Sequence, residues 1–108
     1  KGDIIQPQYI SEEAVLDRCL IGEGSEIYGE VHNSVIGPNV VIGKGSVIRD
    51  SIIMNQTQIG EGCEINKAII AENVVVGNQV KLGVELILSQ NQSSSEIATG
   101  GENIEQKN

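Results

Sequence analysis

Aliphatic residues recur along the chain in steps of six, six and five. From Ile36 to Leu82 this spacing gives a strict period of 17 residues. An amphipathic helix needs apolar residues every three to four positions, whereas here the repeating apolar position comes only about once in six residues. Such fixed-period self-similarity is typical of proteins built from stacked repeats. The repeating positions are Ile4, Ile10, Leu16, Ile21, Ile27, Val31, Ile36, Ile42, Ile48, Ile53, Ile59, Ile65, Ile70, Val76 and Leu82.

The repeat predicts an all-β fold in which each period makes one coil of three short strands. Successive coils should lie about 4.8 Å apart, the ordinary distance between paired strands. The repeating aliphatic residues should point inward, and so should small or slim residues four positions later. These are Ala14, Ser25, Val40, Ser46, Thr57, Cys63, Val74 and Val80. We therefore predict a parallel β-helix of about five coils over residues 1–84, with each coil in contact with its neighbours only.

The periodicity stops after Gly83, where a short apolar run is followed by a polar sequence. Residues 85–108 are therefore predicted to be an irregular, flexible C-terminal tail. An alternative is that residues 85–88 cap the last coil.

Two departures from the repeat mark specific positions. The third strand of most coils is one residue short, and polar residues replace glycine at the corner that follows it. These residues should stack in two columns, Arg18, Asp50 and Lys67 in one, Asp17, Arg49 and Asn66 in the other. The second coil is contracted, because only four residues separate Ile27 from Val31. We expect a local distortion there, near Tyr28 and His32.

Composition limits the functional classes. With two Tyr and no Phe or Trp, the core must consist of aliphatic layers rather than aromatic rings. The net charge of −8 does not favour binding to nucleic acid, and no apolar run is long enough to span a membrane. Cys19 and Cys63 have no metal-type spacing, and we interpret them as reduced packing residues of a cytoplasmic protein.

The glycine-containing corners superficially resemble phosphate-binding loops. They are residues 22–24, 43–45 and 60–62, each with the sequence Gly-X-Gly. They recur in the register of the repeat and no helix follows them, so the nucleotide-binding fingerprints do not apply. We predict no catalytic, cofactor-binding or metal site in this chain.

The polar corner residues, together with the aliphatic ones, carry a resemblance to one family. Residues 8–14, 27–37, 47–54 and 65–74 resemble the C-terminal domain of bacterial glucose-1-phosphate adenylyltransferase, also called ADP-glucose pyrophosphorylase. The resemblance covers about residues 7–84 and ends at Glu85. It implies a left-handed parallel β-helix.

The family makes ADP-glucose and pyrophosphate from ATP and glucose 1-phosphate, in glycogen biosynthesis. The resemblance implies an N-terminal catalytic domain that is absent from this chain and would hold ATP and Mg. It also implies a tetramer, homo- or hetero-oligomeric, regulated by a sugar-phosphate or nucleotide effector. In this interpretation the chain alone is inactive and serves in oligomerisation and allosteric regulation.

Four residues are candidates for an effector site or an interface: Arg18, Arg49, Lys67 and His32. Arginine binds phosphate through two parallel hydrogen bonds, so Arg18 and Arg49 lead. The alternative is that both pair with neighbouring aspartates. His32, the only histidine, is also the candidate general base if the chain is instead a fragment of a hexapeptide acyltransferase. A third interpretation is a purely structural assembly module.

Overall fold

The structure, a computed structural model, describes residues 7–83 and the strand Ile104–Gln106. In this part of the chain every regular element is a β-strand of two or three residues. The strands wind around three sheets, which we name A, B and C. Up to residue 83, each strand pairs in parallel with the corresponding strands of the neighbouring coils. The predicted all-β parallel helix is confirmed.

Strands β1 to β15 are distributed over the three sheets in a regular rotation. Sheet A contains β1 (Tyr9–Ile10), β4 (Glu26–Ile27), β7 (Val41–Ile42), β10 (Gln58–Ile59), β13 (Val74–Val76) and β15 (Ile104–Gln106). Sheet B contains β2 (Val15–Asp17), β5 (Glu30–His32), β8 (Val47–Arg49), β11 (Glu64–Asn66) and β14 (Lys81–Leu82). Sheet C contains β3 (Leu20–Ile21), β6 (Val35–Ile36), β9 (Ile52–Ile53) and β12 (Ile69–Ile70). The described residues thus form four complete coils and two strands of a fifth, and the further strand predicted at Ile4 lies outside them.

The strand registers place the aliphatic repeat in three inward columns, as predicted. In sheet A, Ile27 pairs with Ile42 and Ile42 with Ile59; in sheet C, Ile36 pairs with Ile53. Side chains in the middle coils of these columns are fully buried. Aliphatic layers without aromatic rings therefore form the hydrophobic core of the described coils.

Small residues behind the columns connect the coils through their side chains. The hydroxyl of Ser46 is fully buried, donates to the carbonyl oxygen of Gly60 at 2.6 Å and accepts from the backbone N–H of Cys63 at 2.9 Å. Ser25 and Thr57 make the same pair of bonds to the coil that follows each of them. Cys63 is a free, buried thiol that donates to the carbonyl oxygen of Gly77. Within the described residues, no buried side-chain nitrogen or oxygen lacks a partner.

The contraction of the second coil is confined to the corner between β4 and β5. Ile27 and Val31 both stay fully buried in their columns. Gly29 lies at this corner, and a Cβ there would collide with the carbonyl oxygens of Gly43 and Ser46. Only glycine therefore lets the shortened corner lie flat against the third coil. The expected distortion thus involves Tyr28 but not His32, which pairs in normal register with its neighbours.

A salt bridge passes over the shortened corner. Lys44 Nζ lies 3.9 Å from Glu13 Oε1, and these residues belong to the corresponding corners of the third and first coils. Both side chains are exposed, so the bridge adds little to stability. It does connect two coils that are not adjacent in the stack.

The last strand returns to sheet A in the opposite direction. β15 pairs antiparallel with β13, which is the last parallel strand of that sheet. The remainder of the predicted tail, including residues 85–88, lies outside the described residues.

Candidate functional site

A polar ridge runs along the corner between sheets B and C. At each step a non-glycine residue adopts a positive φ, which closes the short corner within one residue. The φ angles lie between 49° and 52° at Arg18, Asn33 and Asp50, and reach 57° at Lys67. Asn and Asp tolerate this conformation well, whereas Arg and Lys adopt it at a cost. We call the four positive-φ residues, with Asp17, His32, Arg49 and Asn66 before them, the corner ridge.

Backbone hydrogen bonds align the ridge residues from coil to coil. The N–H of Asp50 donates to the carbonyl oxygen of His32 at 3.0 Å, and that of Lys67 to the carbonyl oxygen of Arg49 at 3.0 Å. The two predicted columns are therefore present. Each contains one residue that the sequence interpretation left out: Asn33 lies between Arg18 and Asp50, and His32 lies between Asp17 and Arg49. The contracted second coil obscured their register.

The upstream part of the ridge is internally paired. Arg18 Nε lies 3.8 Å from Asp17 Oδ1, as the ion-pair alternative anticipated. His32 faces a carboxylate on each side, with Nδ1 3.7 Å from Asp17 Oδ2 and Nε2 3.1 Å from Glu30 Oε1. Each ring nitrogen thus has a carboxylate within 4 Å. This geometry suits a positioning contact better than a general base, which must reach its substrate proton.

In the downstream part of the ridge, the cationic side chains have no ionic partner among residues 7–83. Asp50 Oδ1 accepts a hydrogen bond of 2.7 Å from Asn33 Nδ2. Over residues 7–83 neither Arg49 nor Lys67 forms an ion pair, so the expected Arg49–Asp50 pair is not present. Arg49 lines an open groove of about 360 Å³ together with Glu64 and Asn66. Arg49 is therefore the ridge cation best placed to meet an incoming anion.

Beside the ridge, sheet C presents an outward column of aliphatic side chains. Leu20 is 70% exposed, Val35 and Ile52 are each 42% exposed, and Ile69 is 68% exposed. They are adjacent in the sheet, because their strands pair in that order. We call these four residues the sheet C face.

The sequence interpretation missed the sheet C face, although a signal for it exists. Both residues of every sheet C strand are aliphatic, so each strand reads as a pair such as Ile52-Ile53. Outward positions of sheets A and B are polar in several coils, for example Glu26, Gln58 and Glu64. A comparison of the outward residue of each two-residue strand would therefore have distinguished the apolar outer face of sheet C from the more polar outer faces of sheets A and B.

An open groove of about 610 Å³ follows the boundary between the ridge and the sheet C face. Arg18, Asn33 and Asp50 line its polar side. Leu20, Val35 and Ile52 line its apolar side, with Cys19, Ser34 and Ser51 between them. The pKa of the Cys19 thiol is raised, mainly because the thiol is partly buried. This groove can hold an amphipathic surface, since it offers both kinds of contact side by side.

No group of three His, Cys, Asp or Glu side chains in the part of the chain that the structure describes could hold a metal ion. Tyr28 donates a hydrogen bond of 2.9 Å to Glu26, which raises the pKa of the tyrosine, and its ring contacts Tyr9 at 5.6 Å. Within the described residues there is no helix long and apolar enough to cross a membrane.

Comparison with known proteins places this geometry in a family context. The family model described as the EIF2B subunit epsilon LbH domain matches residues 5–98, where LbH denotes the left-handed β-helix. A glucose-1-phosphate adenylyltransferase of Desulforamulus reducens is 44% identical over 55 residues, which are 51% of this chain and 14% of that protein. A protein of the same name from Clostridioides difficile is 52% identical over 48 residues, 44% of this chain and 12% of the relative. The chain thus matches only 12–14% of the length of these relatives.

Proposed function

Because the chain belongs to the EIF2B subunit epsilon LbH domain family, we propose that it is the assembly and regulatory domain of a glucose-1-phosphate adenylyltransferase. The names of the relatives that match within the β-helix support this assignment. In the proposal, the complete protein is cytoplasmic and tetrameric, and converts ATP and glucose 1-phosphate to ADP-glucose and pyrophosphate. ATP and Mg²⁺ bind a catalytic domain outside this chain. The chain alone has no transferase activity.

The sheet C face is the observation on which the assembly role depends. Contiguous exposed aliphatic side chains on one face of a sheet mark a surface that another protein surface covers. The proposed occupant is the catalytic domain of the same protein, because the chain corresponds to only 14% of a relative's length. A tethered domain has a high effective concentration, so even a small apolar face suffices to hold it.

The regulatory role rests on the corner ridge. Arg49 and Lys67 lie on adjacent coils and form no ion pair within residues 7–83, and Arg49 lines an open groove. An effector with a phosphate group would be held by the guanidinium of Arg49 through two hydrogen bonds. Arg18 contributes less, because Asp17 already neutralises part of its charge. The ridge borders the sheet C face, so an anion bound there can influence the docked catalytic domain.

Substitutions on the sheet C face test the assembly role. The pair Val35→Glu and Ile52→Glu should leave the fold of the isolated chain unchanged, since both side chains point outward. In the full-length enzyme it should release the catalytic domain from the β-helix, because two carboxylates cannot be desolvated against an apolar partner. In the proposal an undocked β-helix no longer holds the subunits together, so light scattering should show a shift from the tetramer to smaller species. The matched control is Val41→Glu with Gln58→Glu, on the outer side of sheet A.

Two results would decide against this docking arrangement. A full-length tetramer that tolerates both pairs equally would remove the sheet C face from the assembly. If the isolated chain is a dimer that the sheet C pair alone dissociates, the occupant is a second copy rather than the catalytic domain.

Effector titrations test the regulatory role in the full-length enzyme. Arg49→Gln should weaken half-maximal activation by fructose 1,6-bisphosphate or AMP at least about tenfold, which corresponds to about 1.4 kcal/mol. Arg18→Gln should have a smaller effect, because Asp17 offsets its charge. Activation curves that are the same in both variants and the parent would exclude these arginines from the effector site.

A further inference from the structure

The downstream edge of sheet A is closed in an unusual way. Five parallel strands, ending with β13, follow one another in this sheet, and β15 then adds an antiparallel strand to its edge. The register centres on Val75, which is opposite Glu105, while Val74 and Val76 are opposite Gln106 and Ile104. A coil continuing the repeat would instead have placed a parallel strand here.

The backbone direction shows what this edge offers. In the same column, Glu26 and Val41 donate their N–H groups to the following coil, to the carbonyl oxygens of Val40 and Thr57. Val75 occupies the next equivalent position after Gln58, so its N–H points downstream, towards β15. Without β15, that donor and the neighbouring backbone groups would form an open edge. Open edges of this kind pair with strands of other molecules.

We infer that β15 is an edge guard, which occupies in the same chain the position that β13 of a second copy would otherwise take. Two β13 strands related by a two-fold axis run antiparallel, as β15 does, so the same edge can accept either. The partner that the edge fits is therefore another copy of this chain, joined end to end through sheet A. The inference is independent of the proposed enzyme family, since it uses only the strand topology.

The strand that the guard covers is also held by the coil beneath it. β13 is already paired with β10 on its other side, through Val75 with Gln58 and Val76 with Ile59. In the inward column, Val76 pairs with Ile59 of the coil below, and both side chains are buried. Removal of a three-residue strand should therefore expose an edge without unfolding the helix.

Two truncations of the 108-residue chain test the guard. Deletion of residues 104–108 removes β15, and deletion of residues 107–108 is the matched control that keeps it. By sedimentation velocity over a range of protein concentrations, the control should behave as the parent does. The longer deletion should self-associate at least tenfold more tightly, with a dimer as the product.

A third variant identifies the edge. Val75→Pro in the 104–108 deletion removes the downstream N–H and should restore the parent's association state, because proline cannot donate a ladder hydrogen bond. Three results would overturn the inference. They are equal self-association of the two truncations, association that persists with Val75→Pro, and loss of the β-sheet circular dichroism signal in the longer deletion. The last would make β15 part of the folding unit.

Discussion

At the scale of single residues, buried hydroxyl groups stabilise this interior together with the aliphatic columns. Ser46 satisfies two backbone groups of the next coil with one oxygen atom. Ser46→Ala should lower the free energy of unfolding by about 1–3 kcal/mol, because the Gly60 carbonyl and the Cys63 N–H lose their buried partner. Urea denaturation monitored by circular dichroism measures the change.

Another serine at a corner provides the control for this substitution. Ser11 accepts a hydrogen bond from the N–H of Glu13 on the surface of the first coil, where water can replace it. Ser11→Ala should therefore change stability by less than about 0.5 kcal/mol. Equal effects of the Ser11 and Ser46 substitutions would mean that the buried bonds contribute no more than exposed ones.

At the scale of the elements, a corner of the helix contains glycine for two separate reasons. A Cβ on Gly43 would collide with the carbonyl oxygen of Gly60 in the next coil. Gly45, two residues later, has a φ of 78°, while the nearest atom to an added Cβ is 3.8 Å away. Gly43→Ala should thus force coils apart and cost several kcal/mol, whereas Gly45→Ala should cost only the conformational strain, about 1 kcal/mol.

Thermal unfolding of the two variants separates crowding from backbone strain. Gly45→Asn is a further check, since Asn39 and Asn73 already adopt positive φ at other corners. It should be nearly as stable as the parent. If Gly45→Ala lowers the unfolding temperature more than Gly43→Ala does, the coils are spaced more loosely than the structure indicates.

The same scale explains which features the sequence could predict. Inward columns follow directly from the spacing of aliphatic residues, because a residue that faces the interior recurs once per strand. The sheet C face does not follow from that spacing, since Val35 and Ile52 lie between the column positions and were not considered. The column positions of Asn33 and His32 were missed for another reason, although His32 was itself a candidate. The contraction after Ile27 shifts every later register by two residues. Their neighbours in the adjacent coils can be assigned only from the strand pairing in the structure.

At the scale of the whole molecule, a stack of coils has neighbours on both sides only in its middle. Ile48 in the third coil is fully buried, whereas Leu16 in the first coil is 39% exposed although both occupy the same column of sheet B. Ile48→Ala should destabilise the chain by about 2–5 kcal/mol. Leu16→Ala should cost less than about 1.5 kcal/mol, since part of that side chain already contacts water.

Amide hydrogen exchange tests the same gradient without substitutions. The N–H of Val47 bonds to the carbonyl oxygen of Cys63 in the middle of the stack, and that of Tyr9 bonds to Ser25 at its upstream end. Because each coil depends on nearest neighbours, opening should begin at an end and reach the middle last. Exchange at Val47 should therefore be slower by several orders of magnitude than at Tyr9. Uniform protection along the stack would mean that the described coils open only as one cooperative unit.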